Sequence, residues 1–182
     1  MNSSIKKVRA VPKDASLGVV ASGSPVEPAR LQDSFAELSA RGFSVSAPLD
    51  PARDYGKYDF GFSNGSPQER AAAFMELIED DDVAAVLTAR GGYGTLDILP
   101  LLDFEKIASA GKLVIGMSDV TALLVQCVSK SGIPAIHGPA AATAFPDVAK
   151  SEEARRSADS LVSLLQDPAN IYRADARVLR EG

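Results

Sequence analysis

The sequence contains no tryptophan, one cysteine and one histidine in 182 residues, and only 6% of its positions are aromatic. A single thiol excludes an internal disulfide framework, and Cys127 falls on a patterned apolar face, where a buried structural thiol is the expected role. No stretch approaches the roughly 20 apolar residues of a membrane span. Residues 1–13 carry Lys6, Lys7, Arg9 and Lys13 but lack the run of about seven or more apolar residues that a secretory signal requires, so the expected location is cytoplasmic. Positive charge is in deficit as well: 19 Lys and Arg against 24 Asp and Glu give a net charge of -5, which offers no broad field to nucleic-acid phosphates. The remainder, 46% hydrophobic and 24% charged with 14 Gly and 11 Pro, has the proportions of an ordinary globular domain, which excludes collagenous and generically disordered chains. A chain of this length buries about 70% of its unfolded surface, enough for one core without metal or disulfide staples.

Apolar periodicity organises the chain into alternating strands and helices. Residues 17–21, LGVVA, form a short buried run ending in Ser22-Gly23-Ser24-Pro25, the pattern of a strand entering a tight loop. Pro28 opens a helix marked by Leu31, Phe35 and Leu38 and stopped by Gly42, and residues 43–47 alternate as a second strand. Residues 50–67 lack periodicity and read as a long surface excursion. Ser66-Pro67 opens a helix with Ala71, Phe74, Leu77 and Ile78 on its apolar face, and the acidic triplet Asp80, Asp81 and Asp82 separates it from a strand over 83–88. Adjacent carboxylates in a turn do not easily converge on one ion, so the triplet reads as a solvated turn and not a metal site. A strand over 113–116 precedes Val120, Leu123, Leu124, Cys127 and Val128 at helical spacing, residues 133–136 are strand-like, and Ala158, Leu161, Val162 and Leu165 mark a last helix. This order predicts an α/β fold: a doubly wound, mostly parallel sheet with helices on both faces, a Rossmann-like layer. In such sheets ligands bind beyond the carboxyl ends of the strands, which places the loops after Ala21, Thr88, Gly116 and Ile136 on one functional rim.

Two motifs lie on that rim. Ala89-Arg90-Gly91-Gly92-Tyr93-Gly94 has three glycines in four residues, useful where backbone must turn sharply or approach a ligand. It lacks the ending of a nucleotide P-loop and the spacing of a dinucleotide fingerprint, so a tight strand-to-helix turn is the competing reading. In Gly116-Met117-Ser118-Asp119-Val120, a strand ends in a small residue, a serine follows and a helix begins, the layout of a nucleophile elbow. That turn lifts the Ser118 hydroxyl above the sheet and aims the Asp119 amide, at a helix amino terminus, toward a developing oxyanion. Val120 stands where such elbows usually have a second glycine, and a plain helix cap by Ser118 or Asp119 is the alternative.

With their flanks, these motifs resemble the LD-carboxypeptidase family of serine peptidases, which includes the microcin immunity peptidases. The matching stretches are LGVVASGSPV, LTARGGYGTLDILPLLDFEKI, VIGMSDVTALL and IPAIHGP, in that order. The resemblance implies that Ser118 is the nucleophile and that the backbone amides of Asp119 and Gly92 form the oxyanion hole, with no cofactor or metal. It also implies an amide cut before a terminal D-amino acid, such as the D-Ala of a murein tetrapeptide in cell-wall recycling. The microcin-immunity variant would act on a peptidyl-nucleotide conjugate. A non-catalytic α/β module binding an anionic ligand is the alternative from another class.

Family members carry a Glu and a His in a carboxyl-terminal domain, and a serine hydroxyl is a poor nucleophile without a base. The expected partners are therefore a murein peptide and a carboxyl-terminal domain or chain supplying that pair, with a homodimer of complete subunits and neither nucleic acid nor membrane. A two-chain enzyme, inactive as the isolated chain, is the favoured expectation. His137 shares the rim with Ser118 but belongs to the IHGP stretch, distinct from the family's triad histidine, and reads as structural or site-lining. Arg90 and Tyr93 are candidate substrate contacts, whereas Asp103 and Glu105 read as first-turn carboxylates of a helix. The expected organisation is a flexible lead-in over 1–14, the nucleophile-bearing domain over 15–166 and a polar linker over 167–182.

Overall fold

A computed structural model describes residues 6–52 and 62–167. Five strands, β1 (Ser16–Val20), β2 (Ser44–Ser46), β3 (Val83–Thr88), β4 (Leu113–Gly116) and β5 (Ala135–His137), form an all-parallel sheet in the order β2-β1-β3-β4-β5. The connecting helices are α1 (Pro28–Ala40), α2 (Pro67–Glu79), α3 (Thr95–Ile98), α4 (Phe104–Ala110), α5 (Thr121–Gln126), α6 (Ala141–Ala144) and α7 (Glu152–Gln166). The predicted α/β layer is thus present, with each strand within two residues of its sequence pattern.

Both faces of the sheet are covered because successive strand residues point to opposite sides. Leu17, Val19, Leu87, Leu113 and Ile115 meet Leu31 and Leu38 of α1, Phe145, and Leu161 and Leu165 of α7. Val20, Val86 and Val114 meet Phe74, Leu77 and Ile78 of α2, Ile107 of α4, Leu123 of α5 and Cys127 just after α5. One irregularity interrupts the alternation. Ser16 pairs with Val83 but Leu17 pairs with Ala85, which leaves Ala84 as an extra residue and lets Val83 face the same layer as Val86.

The helix boundaries follow local chemistry. Ser66 and Glu69 form a reciprocal capping box at the start of α2, Ser151 caps α7, and the Asp103 carboxylate accepts from the amides of Glu105 and Lys106 at 3.0 Å to cap α4. Asp103 is therefore the cap itself, with Glu105 in the first turn. The helix expected over 120–128 is divided: one tight turn over Ser118–Val120, then α5, then a wider π-type turn over Cys127–Ser131 stopped by Gly132 at φ +67°. The acidic triplet forms a turn in which Asp80 accepts from the Asp82 amide at 2.9 Å, and Lys112 donates to the carbonyls of Leu77 and Asp80.

Of the lead-in expected over 1–14, residues 6–12 lie against the domain. Val11 is 3% exposed and donates to the Leu165 carbonyl at 2.7 Å, and the Lys6 amide donates to the Gly132 carbonyl at 2.8 Å. The linker expected over 167–182 lies outside the described residues beyond Asp167, as does the 53–61 part of the surface excursion. Among the described residues no helix is long and apolar enough to cross a membrane.

Candidate active site

The sheet order creates a crevice. From β1 the chain leaves toward β2 on one side, while β3 lies on the other, so the loops after β1 and β3 part above the sheet, where α/β folds bind ligands. The loop after β4 stands beside them and carries Ser118.

Ser118 is exposed, and at φ +60° it is the one residue other than glycine with a positive φ among the described residues. A left-handed backbone costs a residue with a Cβ roughly 1–2 kcal/mol, so the surrounding fold must enforce it. Gly116 shows how: a Cβ there would fall 2.5 Å from Thr88 Oγ1 and 2.6 Å from Val120 Cγ1, so the last residue of β4 lies flat between β3 and the following helical turn. The chain must then bend sharply upward. This Val120 contact accounts for a valine at the position of the second elbow glycine, since its side chain is fully buried among Val114, Leu123 and Val20.

The capping alternative does not describe this turn. Met117 is the cap residue and makes no side-chain cap bond, and the Ser118 hydroxyl forms no hydrogen bond with any described residue. The Asp119 carboxylate turns away from the helix start and accepts from the Thr95 amide at 2.9 Å. That bond joins the elbow to the glycine turn 24 residues earlier.

The glycine turn lies directly against the serine. A Cβ on Gly91 would fall 2.8 Å from Ser118 Cβ and 3.2 Å from Ser118 Oγ, so only glycine permits the approach. Gly92 and Gly94 have φ of +109° and +110°, and a Cβ on Gly92 would overlap the Ser24 side chain. Ser24 in turn accepts from the Tyr93 amide at 3.1 Å and donates to the Phe62 carbonyl at 2.5 Å. The Gly92 amide donates to no other described residue, and its backbone is exposed. Arg90 is exposed with one long contact to the Pro25 carbonyl, 3.4 Å, and Tyr93 is 62% exposed. Ser118, Asp119, Gly92, Arg90 and Tyr93 therefore share one rim.

His137 ends β5 opposite Gly116 and is exposed. Among the described residues it makes no hydrogen bond to Ser118, and it lines a cleft of about 560 Å³ with Met117, Thr143, Asp147, Lys150 and Glu153. No group of three or more His, Cys, Asp or Glu side chains that could hold a metal ion occurs among the described residues.

Residues outside the two motifs also build the site. Gly23 and Ser24 form its far wall, where a Cβ on Gly23 would fall 3.0 Å from Asp119 Oδ2. Asn64, fully buried, donates its backbone N–H to the Gly23 carbonyl at 2.8 Å, so the end of the surface excursion docks onto the site. The Ser-Gly-Ser-Pro run and the aperiodic excursion marked these places in the sequence without indicating what they touch.

The family model for the LD-carboxypeptidase N-terminal domain, peptidase S66, matches residues 17–138. The chain belongs to the LD-carboxypeptidase family. It is 35% identical over 137 residues to a probable murein peptide carboxypeptidase of Bacillus subtilis, covering 75% of this chain and 41% of that protein. It is 38% identical over 109 residues to the microcin C7 self-immunity protein MccF of Escherichia coli, 59% of this chain and 30% of that one. Among solved structures, MccF without ligand superposes with a TM-score of 0.79 at 25% identity, covering 87% of this chain and 46% of MccF. The muramoyltetrapeptide carboxypeptidase of Oxalobacter formigenes superposes at 0.69 and 28% identity, covering 81% and 47%. The chain thus spans less than half the length of these relatives, and its two rim motifs fall within the residues matched by the family model.

Proposed function

We propose that this chain is the nucleophile-bearing part of a serine LD-carboxypeptidase that removes the terminal D-Ala from a murein tetrapeptide. The observation that carries the proposal is the strained, exposed Ser118 at the carboxyl end of β4, packed against Gly91 of the glycine turn. Strained backbone at residues other than glycine clusters at functional sites, held there by the surrounding fold, and Ser118 makes no cap bond that would give it a purely structural role.

In this mechanism Ser118 Oγ attacks the carbonyl carbon that precedes the D-amino acid. The hydroxyl proton passes to a histidine, oriented by a glutamate, in a carboxyl-terminal domain or chain. The carbonyl oxygen becomes an oxyanion that receives hydrogen bonds from the Asp119 and Gly92 amides. Such donors typically contribute about 10²–10³ in rate each. Collapse of the intermediate breaks the C–N bond, and the histidine returns the proton to the departing amine. Water then attacks the acyl-enzyme by the same route and frees Ser118. Arg90 and Tyr93, exposed beside the turn, contact the peptide. The complete enzyme is cytoplasmic and dimeric in this reading.

A second substrate class is favoured by one observation: MccF superposes more closely than the muramoyltetrapeptide carboxypeptidase, 0.79 against 0.69, and MccF has been solved with aspartyl sulfamoyl adenosine. The nucleophile and its amides serve either substrate. The test joins this chain to the segment carrying the His–Glu pair and exposes it to a fluorophosphonate probe, a murein tetrapeptide and an aminoacyl-sulfamoyl nucleoside. Labelling at Ser118 with D-Ala release is expected. Labelling with nucleoside release alone transfers the assignment to the immunity type, and absence of labelling in the joined enzyme refutes the peptidase.

A further inference from the structure

We propose that Arg70 is a positioning residue that clamps the glycine turn and the loop after β1 against the Ser118 elbow; this rests on the peptidase reading above. Arg70 lies on α2 and has no exposed surface, although its neighbours on that helix face are Ala71, Phe74, Leu77 and Ile78. A guanidinium is removed from water at heavy cost unless acceptors take up its donors. Here they are backbone carbonyls from three different loops. Nη1 donates to Ser22 O, in the loop after β1, and to Gly94 O at 2.7 Å, in the turn after β3. Nε donates to Gly65 O at 3.2 Å, just before α2, and Nη2 lies 3.8 Å from Asp97 Oδ2.

These loops part at the crevice, where no sheet ladder connects them. The planar fork of an arginine holds several acceptors in fixed directions, which the single ammonium of a lysine does not. Gly94 is pressed onto it: a Cβ there would fall 3.1 Å and 3.2 Å from the two terminal nitrogens. One residue further, the Thr95 amide donates to the Asp119 carboxylate at 2.9 Å and the Thr95 hydroxyl meets Ser22 Oγ at 3.2 Å. Arg70 touches no reacting atom. It acts through Gly94 and Thr95, fixing the turn that bears the Gly92 amide relative to the elbow that bears the Asp119 amide.

The experiment compares wild type, Arg70→Lys and Arg70→Met in the enzyme that joins this chain to its His–Glu segment. It measures kcat and KM for D-Ala release and the hydrogen exchange of the Thr95 amide. The expected result for Arg70→Met is a loss in kcat of about 100-fold, the scale of a 1 Å misplacement, with KM little changed. Thr95 exchange should accelerate while the amides of β5 and α7 keep their protection, and Arg70→Lys should fall between. Should Arg70→Met not fold, Arg70→Lys and the slow exchange of Arg70 Nε–H in the wild type carry the test. Wild-type kcat with unchanged Thr95 exchange in either variant overturns the clamp, as does acceleration spread evenly over β5 and α7. A wild type that neither labels nor releases D-Ala overturns the peptidase reading, and Thr95 exchange then still decides the clamp.

Discussion

Substituting Gly91 by alanine tests whether the glycine turn and the serine bend are in the contact on which the proposed chemistry depends. The new Cβ would fall 2.8 Å from Ser118 Cβ, 3.2 Å from Ser118 Oγ and 3.2 Å from the Met117 carbonyl. Carbon atoms pack comfortably at about 3.5–4.0 Å, so one side must retreat by about 0.7 Å or more. Forcing a methyl group into such a contact costs about 1–3 kcal/mol of stability. A thermodynamic cycle isolates the cause. S118G removes the clashing Cβ and Oγ and relieves the φ +60° strain, so it should stabilise the chain by about 1 kcal/mol. In the S118G background, G91A should lose most of its penalty, a coupling of at least about 1 kcal/mol between residues 27 positions apart. Urea unfolding of the four proteins, with an unchanged slope, measures it without any need for activity. Equal G91A penalties in both backgrounds, within about 0.5 kcal/mol, would show that the two loops are not in contact and would remove the geometric support for Ser118 as nucleophile.

Asp119→Ala leaves the Thr95 amide without its acceptor and should cost about 1–3 kcal/mol in urea unfolding, whereas Asp119→Asn keeps an acceptor oxygen and should cost less; equal losses would mean that charge and not the hydrogen bond matters. Burial pushes the Cys127 thiol up from its ordinary 9.0 to about 12. Folding therefore favours the protonated thiol, so its contribution to stability is complete below pH 9.0 and declines as pH rises from there toward about 12. Iodoacetamide at pH 8 should leave the folded chain unmodified and alkylate it only after denaturation; rapid labelling of the native protein would contradict the buried position.

Much of this architecture is written in short-range patterns. The apolar runs at 83–88 and 113–116 become β3 and β4 without adjustment, because a parallel strand covered on both faces needs an unbroken apolar sequence. The capping residues Ser66, Asp103 and Ser151 act within three positions of themselves, so their effect is visible in the order of residues. The serine elbow is equally local: a buried strand end, a sharp bend and a helix start follow one another over five residues.

What the order of residues could not supply is every relation between loops distant in the chain. The extra residue at Ala84 is a matter of register between β1 and β3, to which alternation within one strand is blind. Val11 reads as part of a charged lead-in, yet its side chain joins the core cluster that holds Leu161 and Leu165 of α7, and its backbone N–H donates to the Leu165 carbonyl. Gly91 reads as one of three turn glycines and the Asp119 side chain as a candidate helix cap, and nothing in the order of residues marks Arg70. Each acquires its role from partners 24 to 48 residues away, Arg70 from Ser22 and Gly94, Asp119 from Thr95. The sequence alone determined the alternation of strands and helices and the bend that exposes a serine, since these depend on torsions and apolar spacing within a few residues. Only the tertiary fold decided which backbone faces that serine, because contacts across a switch point are set by sheet order and by the packing of loops that meet nowhere along the chain.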